Sequence, residues 1–115
     1  MTDVTRLVRR YYEALDDGEY GDLELILAPG FIQHRPDRTF ESRREFVAFM
    51  REGRPNTDTR HELRDLEVSE EGERVVVRGR LFDADGEQLF EFVDRFSLEG
   101  GQVVHLETAV SDRPG

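Results

Sequence analysis

Apolar residues recur at intervals of three and four through the first half of this chain and at intervals of two through the second. In DVTRLVRRYYEALD, Val4, Leu7, Val8, Tyr11, Tyr12 and Leu15 fall on one broad stripe. That spacing predicts an amphipathic helix, started by Thr2 or Asp3 and stopped at Gly18. GDLELILAPG repeats the pattern with Leu23, Ile26 and Leu27 and predicts a short second helix ended by Pro29-Gly30. FIQHRP then reads as a brief extended piece entering a turn. Ser42 followed by Glu45 is a capping box for a third helix, which presents Phe46, Val47, Phe49 and Met50 and stops near Gly53 to Pro55.

RHELRDLEVS, RVVVRGRLFDA, QLFEFVDRFSLE and QVVHLETAV are strand-like runs, separated by the charged, Gly-containing turns EEGE, DADGE and EGG. Asp85-Gly86 and Gly100-Gly101 are the strongest turn signals. Helices followed by an antiparallel meander predict an α+β fold, with the helices covering one face of a curved sheet. We expect one domain over residues 1–110 and a dispensable tail at 111–115, because the chain has no linker, repeat or low-complexity tract.

Composition narrows the function. The chain has 115 residues, no lysine, 16 basic residues that are all arginine, 26 Asp and Glu, and a formal charge of −10. Such a charge repels phosphate backbones and anionic headgroups, so neither nucleic acid nor a membrane is expected as a partner. Zero cysteine removes disulfides, thiolate nucleophiles and Cys-ligated zinc. No apolar run approaches the roughly 20 residues of a membrane-spanning helix, and MTDVTRLVRR lacks a signal core, so a cytoplasmic protein is expected. With 37% hydrophobic residues and eight Phe the chain has material for a core, and the acids are left to coat its surface. Lysine absence beside abundant carboxylates is similar to proteins of salt-loving archaea; high-GC codon bias also explains Arg over Lys, though less readily the acids.

Alternation across LFEFVDRFSL places Phe90, Phe92, Asp94 and Phe96 on one face and Glu91, Val93, Arg95 and Ser97 on the other. A carboxylate among phenyl rings either finds a partner or has its pKa raised until it is neutral. Asp94 is therefore a pocket acid or base, or half of an ion pair with Arg78 or Arg80. His34, in FIQHRP, is a candidate general base because imidazole titrates near neutrality; a structural turn residue is the plainer reading. His61 and His105 fall in polar, strand-edge contexts, and the three histidines lack metal-ligand spacing, so no metal is expected. Of Tyr11 and Tyr12, neighbours on a helix, at most one can face the centre of the stripe. Arg78 and Arg80 share a strand face that lines a pocket or meets solvent, and burial statistics favour solvent. Phosphate loops, nucleophile elbows and HExxH are absent.

These segments resemble the nuclear transport factor 2-like superfamily, in particular its SnoaL-like and ketosteroid-isomerase-like branch. FIQHRP, the capped SRREFVAFM and VDRFSLEGGQVV carry the resemblance, which spans Val4 to about Val110. It implies a cone-shaped α+β barrel around a deep apolar pocket and a homodimer formed through the sheet. In ketosteroid isomerase a first-helix tyrosine and a protonated aspartate bind the oxyanion while a second aspartate shuttles the proton. By that resemblance Tyr11 and Asp94 take the first two places and His34 the third. A histidine there is typical of relatives similar to polyketide cyclases, and it counts against steroid isomerisation. Leu106 and Glu107 stand where such relatives often carry His-Trp. The expected function is cofactor-independent acid–base chemistry on a small apolar carbonyl compound, by isomerisation, cyclisation or aldol closure. His34, Asp94 and Tyr11 would be catalytic, and Phe90, Phe92, Phe96, Arg78 and Leu106 would contact ligand. A non-catalytic hydrophobic-ligand or dimeric interaction module is the alternative.

Overall fold

A computed structural model describes residues 3–53 and 58–111. Asp3 starts helix α1 (Val4–Asp17): its carboxylate accepts from the backbone N–H of Thr5 and Arg6 at 3.1 and 3.2 Å, two of the donors that a helix start leaves orphaned. Gly18 ends it in the left-handed conformation at φ 71°, which glycine adopts without steric cost. Helix α2 (Tyr20–Ile26) follows, tied to α1 through Arg10, which bonds Asp22 and, at 3.1 Å, Glu19.

Pro29-Gly30 does not end α2. The helix stops at Ile26, and strand β1 (Leu27–His34) runs through both residues. The pair coincides with a register irregularity between Leu27 and Ile32 against the neighbouring strand, a position where a missing N–H and a missing side chain are tolerated. Strand β2 (Thr39–Phe40) is a two-residue return. The Ser42 hydroxyl then accepts from the Glu45 N–H at 3.0 Å and starts helix α3 (Arg43–Ala48), which relaxes into a wide π-type turn, Phe49–Gly53. The expected stop at Pro55 lies outside the described residues.

Strands β3 (Arg60–Val68), β4 (Arg74–Phe82), β5 (Gln88–Glu99) and β6 (Gln102–Ser111) form the meander, with Gly72, Gly86, Gly100 and Gly101 at positive φ in its turns. The six strands form one sheet in the order β2-β1-β6-β5-β4-β3, antiparallel except where β1 runs parallel to β6. The sheet is open rather than closed into a barrel. Its edges are β2 and β3, and the three helices cover one face instead. The core fills that inner face: Phe31, Phe46, Phe96, Leu23, Leu27 and Leu106 are fully buried. Burying each such side chain contributes roughly 1.5–3 kcal/mol.

Candidate functional site

The phase of β5 is as its alternation predicts: Phe92, Asp94, Phe96 and Leu98 are buried while Arg95 is exposed. Cross-strand register carries that inner face outwards, with Val77, Gly79 and Leu81 of β4 opposite Asp94, Phe92 and Phe90. Between this surface and α1 lies a cavity of about 390 Å³, walled by Tyr12, Phe90, Phe92, Leu81, Met50 and Leu15. Asp94 is only 5% exposed and stands on its wall.

Among the described residues no arginine is ion-paired with Asp94. Tyr12 donates its hydroxyl to Asp94 Oδ2 at 2.6 Å, and Thr108, directly opposite on β6, donates to Oδ1 at 2.6 Å. Burial pushes the Asp94 carboxyl above the ordinary carboxylate range, opposed by the two hydroxyl bonds and by the charges of His61 and Arg35. Tyr12 is raised well above a free phenol, first by burial and then by the Asp94 charge, so it remains a donor. Gln33 extends the chain, giving its Nε2 hydrogen to Thr108 Oγ1 at 2.8 Å.

On β3, His61 is register-paired with Leu81 and so faces inward, where it lines the same cavity. Asp16, in the last turn of α1, accepts from the His61 backbone N–H at 2.9 Å and meets Nδ1 at 2.6 Å. A carboxylate only accepts, so Nδ1 carries a hydrogen, and in the neutral form of the ring Nε2 is the free base. The imidazole packs against the Tyr12 ring at 5.1 Å and the Phe92 ring at 5.6 Å.

The structure redistributes several expected site residues. Tyr11 and Tyr12 are both buried, but Tyr12 reaches Asp94, while Tyr11 stacks among Phe46, Phe96 and Tyr12 on the cavity side of the core. The helix turn of about 100° between them decides which hydroxyl meets the acid. His34 does not line the cavity. Alternation along β1 turns Phe31 and Gln33 inward, leaving His34 exposed on the opposite face beside Thr39 (3.2 Å) and the His105 ring (5.0 Å). Arg78 also faces outward, because Val77 and Gly79 take the inward positions of β4; it borders a second depression, of about 430 Å³, with Glu91, Val93 and Ala109. Arg80 shares its side and pairs with Glu62 at 3.1 Å. Phe90 and Phe92 line the cavity, whereas Phe96 and Leu106 belong to the solid core beneath it.

Tyr12, Gln33, His61 and Thr108 were not singled out for the site by sequence. The signal for two of them was the period of two: Phe31-Gln33-Arg35 and His61-Leu63 read as inward series once each strand is phased from its apolar member. Asp16 carried no signal, since its partner lies 45 residues away. Among the described residues no group of three or more His, Cys, Asp or Glu could hold a metal ion, and no helix is long and apolar enough to cross a membrane.

The same architecture occurs in solved structures of low sequence identity. A nuclear transport factor 2-like protein of unknown function from Cytophaga hutchinsonii superposes with a TM-score of 0.82 at 16% identity, covering 99% of this chain and 95% of that one. A protein from Kribbella flavida with a provisional ketosteroid isomerase name gives 0.84 at 18% identity, covering 97% and 80%. An LEH-like epoxide hydrolase from M. tuberculosis gives 0.76 at 12%, covering 94% and 82%. These likenesses establish the fold, which hosts more than one chemistry. A search of curated proteins finds no match. The SnoaL-like domain profile matches residues 8–106, nearly the whole of the helix-covered sheet and its cavity, and the chain belongs to the SnoaL-like domain family.

Proposed function

We propose that this protein is an acid–base catalyst acting on a small, largely apolar carbonyl compound in the cavity between α1 and the sheet. The observation that carries the proposal is the pairing of two titratable centres on one apolar cavity: His61, held by Asp16 with Nε2 bare, and Asp94, held by Tyr12 and Thr108. In the proposed reaction, Nε2 takes a proton from the carbon next to the carbonyl. The enolate oxygen that develops receives hydrogen bonds from Asp94 in its protonated form, which burial favours, and from Tyr12, whose single hydroxyl hydrogen turns from Asp94 Oδ2 to that oxygen. His61 then returns the proton to a different carbon, giving an isomer, or the enolate carbon bonds to a second carbonyl carbon in the same molecule and the alkoxide so formed takes the proton from His61, giving a ring. His61 takes the base role that the resemblance assigns to His34, and Tyr12 that of Tyr11.

Proton NMR in D2O provides the test, through exchange of the α-hydrogens of apolar cyclic ketones such as 1-tetralone. Exchange above the buffer rate is expected for the native protein. His61→Gln and Asp94→Asn are each expected to lower it by about 10²-fold or more. Folded variants that exchange at the native rate would sink the mechanism.

One observation favours a second reading. Each Asp94 oxygen already accepts a hydroxyl hydrogen, which is how a carboxylate serving only as a fixed wall of a binding cavity would be held. Saturable ligand binding with no exchange of any ketone would select that reading.

We also propose a homodimer through the outer sheet face, supported by the outward Val93 and Ala109 beside the depression there. Sedimentation equilibrium tests it. A cytoplasmic protein without nucleic-acid or membrane partners remains our reading of the −10 charge and composition. The salt-loving archaeal origin is likewise proposed from the lysine-free acidic composition alone; a fold that survives removal of salt by dialysis would leave codon bias as the account.

A further inference from the structure

The Thr108 hydroxyl has one hydrogen, and Asp94 Oδ1 receives it. The Gln33–Thr108 contact must then be donated by Gln33 Nε2, which leaves Gln33 Oε1 as the amide's other end. Gln33 is 3% exposed and lines the cavity, yet Oε1 has no hydrogen-bond partner among the described residues. A buried acceptor without a donor is costly, and a ligand that supplies the donor recovers that cost on binding. Two residues further along, Arg35 lines the same cavity half-buried, close enough to influence Asp94. Its backbone N–H bonds the Arg38 carbonyl at 2.8 Å, extending the β1–β2 ladder, and alternation keeps it on the side of Gln33. No salt bridge engages Arg35 among the described residues. Neighbouring Arg38 is occupied, ion-paired to Asp37 at 3.6 Å and stacked 4.4 Å over the Phe49 ring.

We propose that the ligand of this cavity is a hydroxylated carboxylic acid. Its hydroxyl donates to Gln33 Oε1 in the interior, its carboxylate meets the Arg35 guanidinium at the mouth, and an apolar skeleton spans roughly the 7 Å between those positions on β1. The proposal rests on the reading of the cavity as the functional site and adds to it the polar groups that the substrate carries besides its reacting carbonyl. It also assigns a cationic subsite to a chain whose net charge is strongly negative.

Three matched probes test it by calorimetric or NMR-detected binding: 4-hydroxyphenylacetate, phenylacetate, which lacks the hydroxyl, and 4-hydroxyphenylacetamide, which lacks the charge. The first is expected to bind about fivefold or more tighter than the second and about tenfold tighter than the third. Gln33→Leu is expected to erase the hydroxyl preference, and Arg35→Gln, at a half-exposed position where folding is not at stake, the charge preference alone. Equal affinity for all three probes, binding of none, or preferences unchanged in Arg35→Gln would overturn the proposal. Ketone exchange measured on the same samples separates the two ideas. Probe preferences without exchange retain the ligand class and discard the catalytic reading; exchange without preferences does the reverse.

Discussion

Both faces of the sheet carry charge, and they use it differently. On the outer face Arg80 meets Glu62, Arg95 meets Glu107 at 3.8 Å, and His34 stands beside His105, all at least partly in water. On the inner face Asp94 is buried with both oxygens capped by hydroxyls, and His61 is pinned by a helix carboxylate. Asp94 and Arg95 are neighbours in sequence and opposites in environment. The outer pairs lie in high dielectric, where an ion pair contributes about 0–1 kcal/mol, whereas each inner polar group must be matched or it costs stability. One step of strand phase therefore separates residues that speak to solvent from residues that can do chemistry.

The largest test of this contrast is Phe96→Ala against Arg95→Ala. Phe96 is 1% exposed and packs on Tyr11 and Tyr12 at 5.4 and 5.9 Å, so its truncation is expected to cost about 3–5 kcal/mol in urea unfolding. Arg95→Ala should stay within about 0.5 kcal/mol. Comparable losses from the two would break the division of faces.

Gly79→Ala is next. A Cβ at Gly79 would lie 2.4 Å from the Glu62 carbonyl oxygen and 2.8 Å from Phe92 Cζ, and neither the paired backbone nor the packed ring gives way cheaply. We expect a loss of about 1–3 kcal/mol, and weaker ligand binding because Phe92 is a wall of the cavity.

Asp94→Asn sharpens the electrostatic half of the comparison. The folded carboxyl is raised above its unfolded value, chiefly by burial. Its favourable contribution is thus complete below the ordinary carboxylate range and is lost as pH rises through the raised folded value. The amide has no such titration and can still accept from Tyr12. Relative to the native chain, Asp94→Asn should therefore gain thermal stability as pH rises from 4 to 8, measured by calorimetry at several pH values. A constant difference across that range would mean that Asp94 is not perturbed by its burial.

What sequence revealed of this molecule follows the range of the interactions. Helix caps and turns are local, and Asp3, Gly18, Ser42 and Gly86 were legible. The inward phase of Asp94 was legible too, because alternation among three phenylalanines needs only its own strand. Pro29-Gly30 misled, because a strand irregularity beside a parallel neighbour tolerates the same residues that stop a helix. That Tyr12 rather than Tyr11 reaches Asp94 depends on how α1 rolls against β5, a contact 82 residues apart that local spacing does not reveal. The contrast between His34 and His61 has a similar origin in long-range contacts. The segment around His34 matched a family pattern, while the value of His61 comes from Asp16, which no local reading connects to it. The resemblance carried the fold, and the individual side chains facing the cavity were left to be settled by packing.

The smallest expected effect is Arg78→Ala, and it tests the contrast from the silent side. Arg78 was a candidate ligand contact, and its guanidinium would indeed matter if it entered the cavity. It instead points away from the cavity, between the inward Val77 and Gly79, and is exposed. Below the concentration at which the chain dimerises, stability is expected to change by no more than about 0.5 kcal/mol. Affinity for 4-hydroxyphenylacetate should equal that of the native chain, because salt screens a charge on the far side of the sheet over about 8 Å at physiological ionic strength. Arg35→Gln, measured alongside, should weaken the same probe about tenfold. A loss of carboxylate affinity in Arg78→Ala comparable to that in Arg35→Gln would mean that ligand binds on the outer face, and the roles of the two faces would have to be exchanged.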